Sequence, residues 1–218
     1  MAYIMITTRC NMACEHCCMD AKPEGIPEWG IDMPQRVFKK ALKLFEGDHI
    51  SIGGGEPTLH PMFWEFIGLS FRYTESIWLA TNGSITEDAL VLANLAQRGV
   101  LGVSLSLDDF HDSIDERVKK AFEIPKNSYA YRECNNDSRE IRKVVRILPA
   151  GRAKKTGVYT EEEGCACEDT FVTPNGDIWV CGCREESLGN VFHPNLDRMV
   201  ERRENEEESC SKQERIKT

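Results

Sequence analysis

Along most of the chain, short apolar runs alternate with longer segments in which apolar residues recur at helical spacing. The short runs fit buried strands, and the longer segments carry apolar residues at i, i+3 and i+4, as amphipathic helices do. Alternation of strand and helix is typical of a parallel sheet covered by helices. We therefore predict an α/β fold, with the first four strands at 3–7, 49–52, 76–80 and 101–107.

The predicted helices are located by their ends. Asp32 followed by Gln35 fits a capping box, and Pro61 suits the first turn of a second helix. A third helix is expected over 86–98, and a fourth over 113–122. The residues expected to face the core are Val37, Phe38, Ala41, Leu44 and Phe45 in the first helix and Leu90, Ala93 and Leu95 in the third.

The alternation of strand and helix weakens after the fourth helix. Residues 123–142 are polar and predict a loop, and a fifth strand is expected at 144–148. Asn175-Gly176 lies between two apolar runs, which is a strong hairpin signal for 170–173 and 178–180. These patterns predict a core over 1–155, a small cysteine-rich module over 156–198 and a charged tail over 199–218.

The composition is that of an ordinary soluble globular protein, with 41% apolar and 29% charged residues among 218. A net charge of −9 gives no general attraction to nucleic acid or anionic membranes, although residues 139–155 contain seven basic residues and one acid. No apolar run is long enough to cross a membrane, and residues 1–8 predict a strand, not a signal peptide. Ten cysteines without a secretory signal therefore indicate metal ligation in a reducing cytoplasm.

Cys10, Cys14 and Cys17 form a C-x3-C-x2-C motif directly after the first predicted strand. Three thiolates are one too few for a closed zinc site, whereas they would leave one iron of a [4Fe–4S] cluster open to another ligand. A zinc site completed by His16 or Cys18 is the alternative. The second strand ends in a glycine-rich turn, 53–57, which by itself could also be a simple connection between strand and helix.

These two motifs, in this order and each after a strand, resemble the radical S-adenosylmethionine (radical SAM) superfamily. The resemblance implies a partial, shortened (β/α) barrel of the radical SAM type and a [4Fe–4S] cluster held by Cys10, Cys14 and Cys17. S-adenosylmethionine would bind at the open iron. The contacts that the resemblance implies for this cofactor come from Gly54, Gly55, Glu56, Asn82, Ser106 and Asp108, with His16 packing near the adenine.

A second cysteine group flanks the predicted hairpin. Its members form two C-x-C pairs, Cys165 with Cys167 and Cys181 with Cys183. This group resembles a reduced form of the SPASM or twitch extension of radical SAM enzymes, which implies one additional iron–sulfur cluster. A structural zinc ribbon is the alternative.

The resemblance implies an enzyme that reductively cleaves S-adenosylmethionine to a 5′-deoxyadenosyl radical, which removes hydrogen from a substrate. Its electron would come from a donor such as a flavodoxin or ferredoxin. We predict a cytoplasmic enzyme, without a membrane partner, that modifies a peptide or protein side chain. Two alternatives stay open: a nucleotide or nucleic-acid substrate held by Arg142, Arg146 and Arg152, and a non-catalytic metal-binding module.

Overall fold

The computed structural model describes residues 2–124, 136–144, 146–160, 170–180, 182, 186–194 and 196. The strands in this part of the chain are β1 (Ala2–Thr7), β2 (Ile50–Gly54), β3 (Ile77–Thr81), β4 (Gly102–Ser106), β5 (Arg139–Arg142), β6 (Thr170–Val172), β7 (Asp177–Trp179) and β8 (Ser187–Asn190). The helices are α1 (Gln35–Leu44), α2 (Phe63–Ser70), α3 (Thr86–Gln97), α4 (Glu116–Phe122) and α5 (Gly151–Thr156), and short 3₁₀ turns lie at Pro27–Trp29 and Pro57–Leu59.

All eight strands belong to one sheet in the order β5-β4-β3-β2-β1-β6-β7-β8. The strands from β5 to β6 in this order are parallel to one another, whereas β7 is antiparallel to both β6 and β8. The sheet does not close, because within the described residues β5 and β8 are its two edges. This arrangement confirms the predicted α/β fold, a partial barrel of parallel strands connected by helices.

The core lies between the sheet and the helices that cover it. Ile4, Ile52 and Leu79 are at most 1% exposed, as is usual for central strands of a parallel sheet. Phe38 of α1 and Phe66 of α2 stack with ring centroids 4.1 Å apart. Aromatic stacking of this kind adds about 0.5–1.5 kcal/mol beyond area burial, so the pair fixes the two helices together.

The predicted buried faces of the helices are only partly confirmed. In α1, Val37, Phe38 and Ala41 are buried, and Leu42 joins them. In α3, the buried positions are Ala89, Leu92, Ala93 and Ala96, whereas the predicted Leu90 and Leu95 are only partly buried. The buried face of α3 is therefore rotated from the predicted one and includes Leu92 in place of Leu90 and Leu95.

Three helix starts differ from their predictions. Helix α1 begins at Gln35 after Pro34, and Asp32 is no cap, since its carboxylate accepts hydrogen bonds from Thr7 and Arg9 beside β1. Helix α2 begins at Phe63, two residues after Pro61. The start of α4 is three residues later than predicted, where Asp115 caps it by accepting from the backbone N–H of Arg117.

The predicted fifth strand at 144–148 is wrong, because β5 is the more polar segment Arg139–Arg142. Its polar groups are satisfied: Arg139 pairs with Asp137, and Glu140 accepts from Ser104 of β4 at 2.7 Å. A strand whose polar side chains have hydrogen-bond partners can pair without an apolar pattern. The pattern of apolar residues therefore placed the fifth strand too late in the sequence. Arg142 is the last residue of β5 and Arg146 lies outside the strand, so the two arginines predicted to hold a nucleotide do not lie on one strand.

The predicted hairpin is confirmed as β6 and β7, which pair in antiparallel register with Phe171 opposite Trp179. Strand β6 also pairs with β1, with Ala2 opposite Thr170, so the hairpin continues the core sheet. The four cysteines predicted for a second cluster, 165, 167, 181 and 183, lie outside the described residues. Within the described residues, no helix is both long and apolar enough to span a membrane.

Candidate functional site

A cavity of about 250 Å³ lies at the carboxyl ends of β2, β3 and β4, beside the loop that follows β1. The end of a parallel sheet at which loops converge is the usual place for a ligand in α/β folds. The predicted site residues that line the cavity are Cys10, Cys14, His16, Cys17, Gly54, Gly55, Glu56, Asn82 and Ser106. The structure thus brings together residues that are up to 96 positions apart in the sequence.

The cysteine loop, residues 10–21, holds its sulfurs in a partly buried environment. The Sγ of Cys10 accepts from the backbone N–H of Met12 at 3.5 Å and from Nδ2 of Asn82 at 3.8 Å. Burial raises the pKa of Cys14 to about 11, and the nearby sulfurs of Cys10 and Cys17 contribute to the rise. Because the negative charges of three thiolates repel one another, a bound cation is needed to hold all three deprotonated.

The glycine-rich turn packs directly against the strand that leads into the cysteine loop. The backbone N–H groups of Gly55 and Glu56 donate to the carbonyl oxygens of Thr7 and Arg9 at 2.9 and 2.8 Å. A Cβ on Gly55 would lie 2.2 Å from the carbonyl oxygen of Arg9. The glycine is therefore required by close approach of two backbones, and the turn and the cysteine loop form one unit.

Glu56 is 1% exposed, and the protein itself supplies its hydrogen bonds. Its carboxylate accepts from the backbone and hydroxyl of Thr58, from the Thr81 hydroxyl at 2.8 Å and from the Asn82 backbone N–H at 2.7 Å. Burial raises the pKa of Glu56, while these donors act in the opposite direction. The side chain ties the end of β2 to the end of β3, and its predicted contact with the cofactor stays a prediction.

Asn82 connects the end of β3 to the cysteine loop. Besides Cys10, its Nδ2 contacts Oδ1 of Asn11 at 3.2 Å, and its Oδ1 accepts from the backbone N–H of Ser84 at 2.9 Å. The side chain is 7% exposed. An amide held in this way presents a fixed N–H to the cysteine sulfur.

Asp108 organises the loop after β4 and does not itself line the cavity. Its Oδ1 accepts from the backbone N–H of Phe110 and from Nδ1 of His111, and its Oδ2 accepts from the backbone N–H of Val144. Burial opposes ionisation of Asp108, but the hydrogen bond from His111 and the other donors lower its pKa. The residue that reaches the cavity is His111, which the sequence analysis missed.

His16 lies against an aromatic surface made by Phe110 and His111, with ring centroids 4.7 and 5.3 Å away. Burial lowers the pKa of His16; the carboxylate of Asp108 opposes this effect, and His111 adds to it. A ring that stays neutral is suited to stacking on a base, as the resemblance implies. Its Nδ1 is buried and has no hydrogen-bond partner among the described residues, so it is available to a ligand.

Tyr3 also lines the cavity, and the sequence analysis missed it. The pattern of apolar residues in β1 identifies a strand, but it does not show what the side chains of that strand contact. Burial raises the pKa of its hydroxyl. A Cβ on Gly53 would lie 2.1 Å from that hydroxyl oxygen. The tyrosine ring therefore occupies the space left by the first glycine of the turn.

Arg152, at the start of α5, holds the cysteine loop from behind. Its backbone N–H donates to the carbonyl of Cys17 at 2.9 Å, and its guanidinium donates to the carbonyls of Cys14 and Ala21 at 3.0 and 2.6 Å. Nε also contacts Asp20 at 3.2 Å. The guanidinium is committed to these groups, so it does not offer the open fork that was predicted to hold a substrate phosphate.

Gly151 makes this contact sterically possible. Its φ is +53°, and a Cβ would lie 2.4 Å from the carbonyl oxygen of Cys18. Gly151 follows an apolar segment, as the glycines at 53–57 do. The same sequence signal could therefore have located the contact between Gly151 and the cysteine loop.

Comparison with known proteins decides the family. The sequence profile described as "Radical SAM superfamily" matches residues 4–149, about two thirds of the chain, including the cysteine motif and the glycine turn. The chain belongs to the radical SAM superfamily. It is therefore an enzyme of the radical SAM class, as the motifs indicated.

Individual relatives match between 57% and 80% of this radical SAM chain. Mycofactocin maturase MftC of Mycobacterium ulcerans is 26% identical over 183 residues, which cover 80% of this chain and 48% of MftC. The antilisterial bacteriocin subtilosin biosynthesis protein AlbA of Bacillus subtilis is 30% identical over 130 residues, 57% of this chain and 27% of AlbA. GTP 3′,8-cyclase of Campylobacter lari is 27% identical over 158 residues, 61% of this chain and 47% of the cyclase. The chain thus spans less than half the length of each of these relatives.

The spacing of the three sulfurs suits the iron–sulfur cluster and S-adenosylmethionine that membership in the radical SAM superfamily implies. Within the described residues, only His16, Asp108 and His111 bring three metal-ligating atoms within 4.8 Å of one another. The sulfurs of Cys10, Cys14 and Cys17 therefore do not all lie within that distance of one another, whereas the ligands of one zinc ion lie ~4 Å apart in a tetrahedral site. This wider spacing leaves room for a larger inorganic group.

Proposed function

We propose that this protein reductively cleaves S-adenosylmethionine at a [4Fe–4S] cluster held by Cys10, Cys14 and Cys17, and that the radical so formed removes hydrogen from a peptide or protein side chain. The observation that carries the proposal is the convergence of the three widely spaced thiols and the glycine turn on one cavity. When bound, the cluster supplies one electron to the cofactor's sulfonium. The protein contributes position and shielding from water.

Each part of the cavity has a place in this chemistry. Gly54 and Gly55 line the cavity at the end of β2, and we place the methionine end of the cofactor beside them. Ser106 at the end of β4 offers a hydroxyl for the ribose, and His16 offers a flat neutral ring for the adenine. Met12 and Met19 add apolar walls, which restrict water around a reactive radical.

Support for a peptide or protein substrate comes from two relatives. MftC is named as a maturase of mycofactocin, and AlbA takes part, by its name, in making a bacteriocin. Bacteriocins are peptide or protein products, so hydrogen removal from a side chain is the reaction we infer here. A second iron–sulfur cluster held by Cys165, Cys167, Cys181 and Cys183, or a zinc ion in its place, belongs to the same proposal.

A nucleotide substrate is the second candidate. Its support is the similarity to GTP 3′,8-cyclase and the basic stretch after β5, where residues 143–160 contain five basic residues and no acid. Incubation with S-adenosylmethionine, reductant and GTP, followed by analysis of nucleotides by mass spectrometry, tests this candidate, and a parallel incubation with a library of synthetic peptides tests the peptide class. A product from one substrate class alone assigns the class.

The cluster chemistry is tested by anaerobic reconstitution with iron and sulfide. Wild-type protein should convert S-adenosylmethionine to 5′-deoxyadenosine when reduced, and Cys14→Ala should abolish this conversion. Cys18→Ala is the matched control, because Cys18 is next to the three-cysteine motif but not part of it. This substitution should leave the iron content unchanged. Zinc without iron in the purified protein, or full turnover in Cys14→Ala, would contradict the proposal.

A further inference from the structure

Strand β5 is an open edge of the sheet within the described residues. Its ladder with β4 uses every second residue, and the carbonyls of Ser138 and Arg142 accept from backbone N–H groups at either end of β4. The residues between these bonded positions turn their own N–H and C=O groups away from β4. Ile141 is such a residue, and within the described part of the chain its backbone forms no hydrogen bond. The outer side of β5 is therefore open to another strand.

The two faces of β5 carry different side chains, because alternate residues of a strand point to opposite faces. Ile141 packs on the core beneath the helices, whereas Glu140 and Arg142 are exposed on the other face, which we call the open face. Their partners on β4 are Ser104 and Ser106. The hydroxyl of Ser104 donates to the carboxylate of Glu140 at 2.7 Å and holds it in place. Neither charged side chain forms an ion pair with a described residue, so both are available to a ligand.

The open face leads into the cavity at the end of β5 that carries Arg142. Ser106, opposite Arg142, lines the cavity. Just beyond β5, the backbone N–H of Val144 donates to Asp108 at 3.2 Å, and Asp108 also binds the cavity residue His111. A strand added beside β5 would lie ~10 Å from Ser106, which is two strand spacings. The residues of such a strand that follow the position opposite Arg142 would therefore meet the rim of the cavity.

We propose that β5 binds the substrate peptide as an added, extended strand, and that its side chains opposite Glu140 and Arg142 are one basic and one acidic residue, two positions apart. This inference rests on the proposed peptide substrate and names its class. Backbone hydrogen bonds at Ile141 provide affinity that depends little on sequence, and the two charge pairs select the sequence. The same pairs fix the register, which decides which residue of the peptide reaches the cavity.

Charged side chains on an edge strand have a second possible use, since they discourage unwanted pairing with other chains. That use requires charge but no particular order of charges. A docking strand instead requires the acid and the base in a fixed order. Exchanging the charges of Glu140 and Arg142 separates the two uses, because the net charge of −9 stays the same.

The experiment measures the binding of short fluorescent peptides to the purified protein by anisotropy. One peptide has Lys-Val-Glu at its centre and the other has Glu-Val-Lys, with threonine at the remaining positions of both. The test variant is Glu140→Arg with Arg142→Glu. The matched control is Glu116→Lys with Lys119→Glu, which reverses an ion pair on α4 and also preserves the net charge. GTP is added as a competitor in a separate series.

We expect wild type to bind one of the two peptides about tenfold more tightly than the other, because two attractive cross-strand pairs are exchanged for two repulsive ones. The preferred peptide also shows whether the added strand runs parallel or antiparallel to β5. The test variant should prefer the other peptide by a similar factor, and the control variant should keep the wild-type preference. Methyl groups on the backbone nitrogens of the preferred peptide should weaken its binding at least about tenfold, since they remove the donors of an added strand.

Equal affinity of wild type for the two peptides, or a preference that the test variant keeps, would overturn the docking strand. Unchanged binding of the methylated peptide would also overturn it, because side chains alone would then account for the affinity. Displacement of the peptide by GTP would assign the open face of β5 to a nucleotide instead.

A second variant covers the case in which the test variant does not fold. Arg142→Glu alone leaves the hydrogen bond between Ser104 and Glu140 intact, and it should bind the two peptides equally, because each would then form one attractive and one repulsive pair. A preference retained in this variant overturns the docking strand. The binding assay does not depend on cluster chemistry. Order-dependent binding by a reconstituted protein that forms no 5′-deoxyadenosine would therefore refute the proposed function and leave the docking strand standing.

Discussion

At the scale of single residues, the site depends on side chains that support the cysteines from outside the motif. Arg152 binds the loop carbonyls of Cys14 and Ala21, and Asn82 donates to the sulfur of Cys10. Asn82 directly follows β3, and Arg152 lies at the start of α5. Outer contacts of this kind orient ligands and modify the properties of the group that they hold.

We predict that Arg152→Ala weakens iron binding without unfolding the protein. Each hydrogen bond from a charged donor contributes about 1.5–3 kcal/mol, and loss of such outer contacts typically lowers metal affinity about 10–100-fold. Iron per protein after reconstitution at limiting iron measures the effect. Arg142→Ala, at the exposed end of β5, is the matched control and should load normally. If Arg152→Ala binds as much iron as wild type, Arg152 does not support the iron site in the way proposed.

Asn82→Ala should shift the reduction potential of the cluster to more negative values. The N–H donor to the Cys10 sulfur stabilises the extra negative charge of the reduced state, and hydrogen bonds to sulfur are one of the determinants of cluster potential. A potentiometric titration followed by electron paramagnetic resonance measures the shift. Ser84→Ala, which removes a hydroxyl one step further from the sulfur, should change the potential less. An equal or more positive potential in Asn82→Ala would disprove this function.

At the scale of elements, β1, β2 and α5 position the cysteine loop together. The glycine turn after β2 contacts the backbone at Thr7 and Arg9, and α5 contacts the loop at Cys17. Neither contact leaves space for a Cβ at Gly55 or Gly151. Close backbone packing makes the loop rigid before any metal arrives, which reduces the ordering cost of binding.

Gly55→Ala should therefore destabilise the apoprotein by about 1–3 kcal/mol, the usual cost of overpacking a tight contact. The added methyl group would meet the carbonyl of Arg9 and the Cβ of Cys10. Thermal unfolding of the apoprotein measures the change. Gly68→Ala in α2 is the control, because its Cβ meets nothing within 4 Å, and it should stabilise the protein by about 0.5–1 kcal/mol. Equal melting of Gly55→Ala and wild type would contradict the steric argument.

At the scale of the whole molecule, the sheet joins the cavity-bearing strands to the hairpin through the pair β1 and β6. Its far edge, β5, is preceded by the ion pair between Asp137 and Arg139, whose side chains are less than a tenth exposed. The hydrogen bond from Arg139 lowers the pKa of Asp137 below its usual value of 3.8. Stability at this edge is therefore linked to pH.

The direction of this linkage follows from the lowered pKa. Below about pH 4 the unfolded chain binds a proton at Asp137 more readily than the folded protein, so the free energy of unfolding should fall as pH falls through the folded pKa. Urea unfolding at about pH 6 and about pH 3 measures this loss. The free energy of unfolding should decrease less between the two pH values in Asp137→Asn than in wild type. Glu56 acts in the opposite direction, because its raised pKa favours the folded state at low pH. If Asp137→Asn loses as much free energy of unfolding as wild type between these two pH values, the pair of Asp137 and Arg139 is excluded as a source of the pH dependence.

The sequence by itself determined the strands, turns and motifs that depend only on residues close together in the chain. Alternation and helical spacing located β1 to β4, the Asn175-Gly176 turn located the hairpin, and cysteine spacing together with the glycine turn identified the family. Tertiary structure decided the rest. Strand β5 is polar and is held by partners on β4, Asp32 caps no helix because it binds Arg9, and Arg152 reaches a loop more than 130 positions away. These features depend on polar groups that find partners distant in sequence, and no local period records such partners.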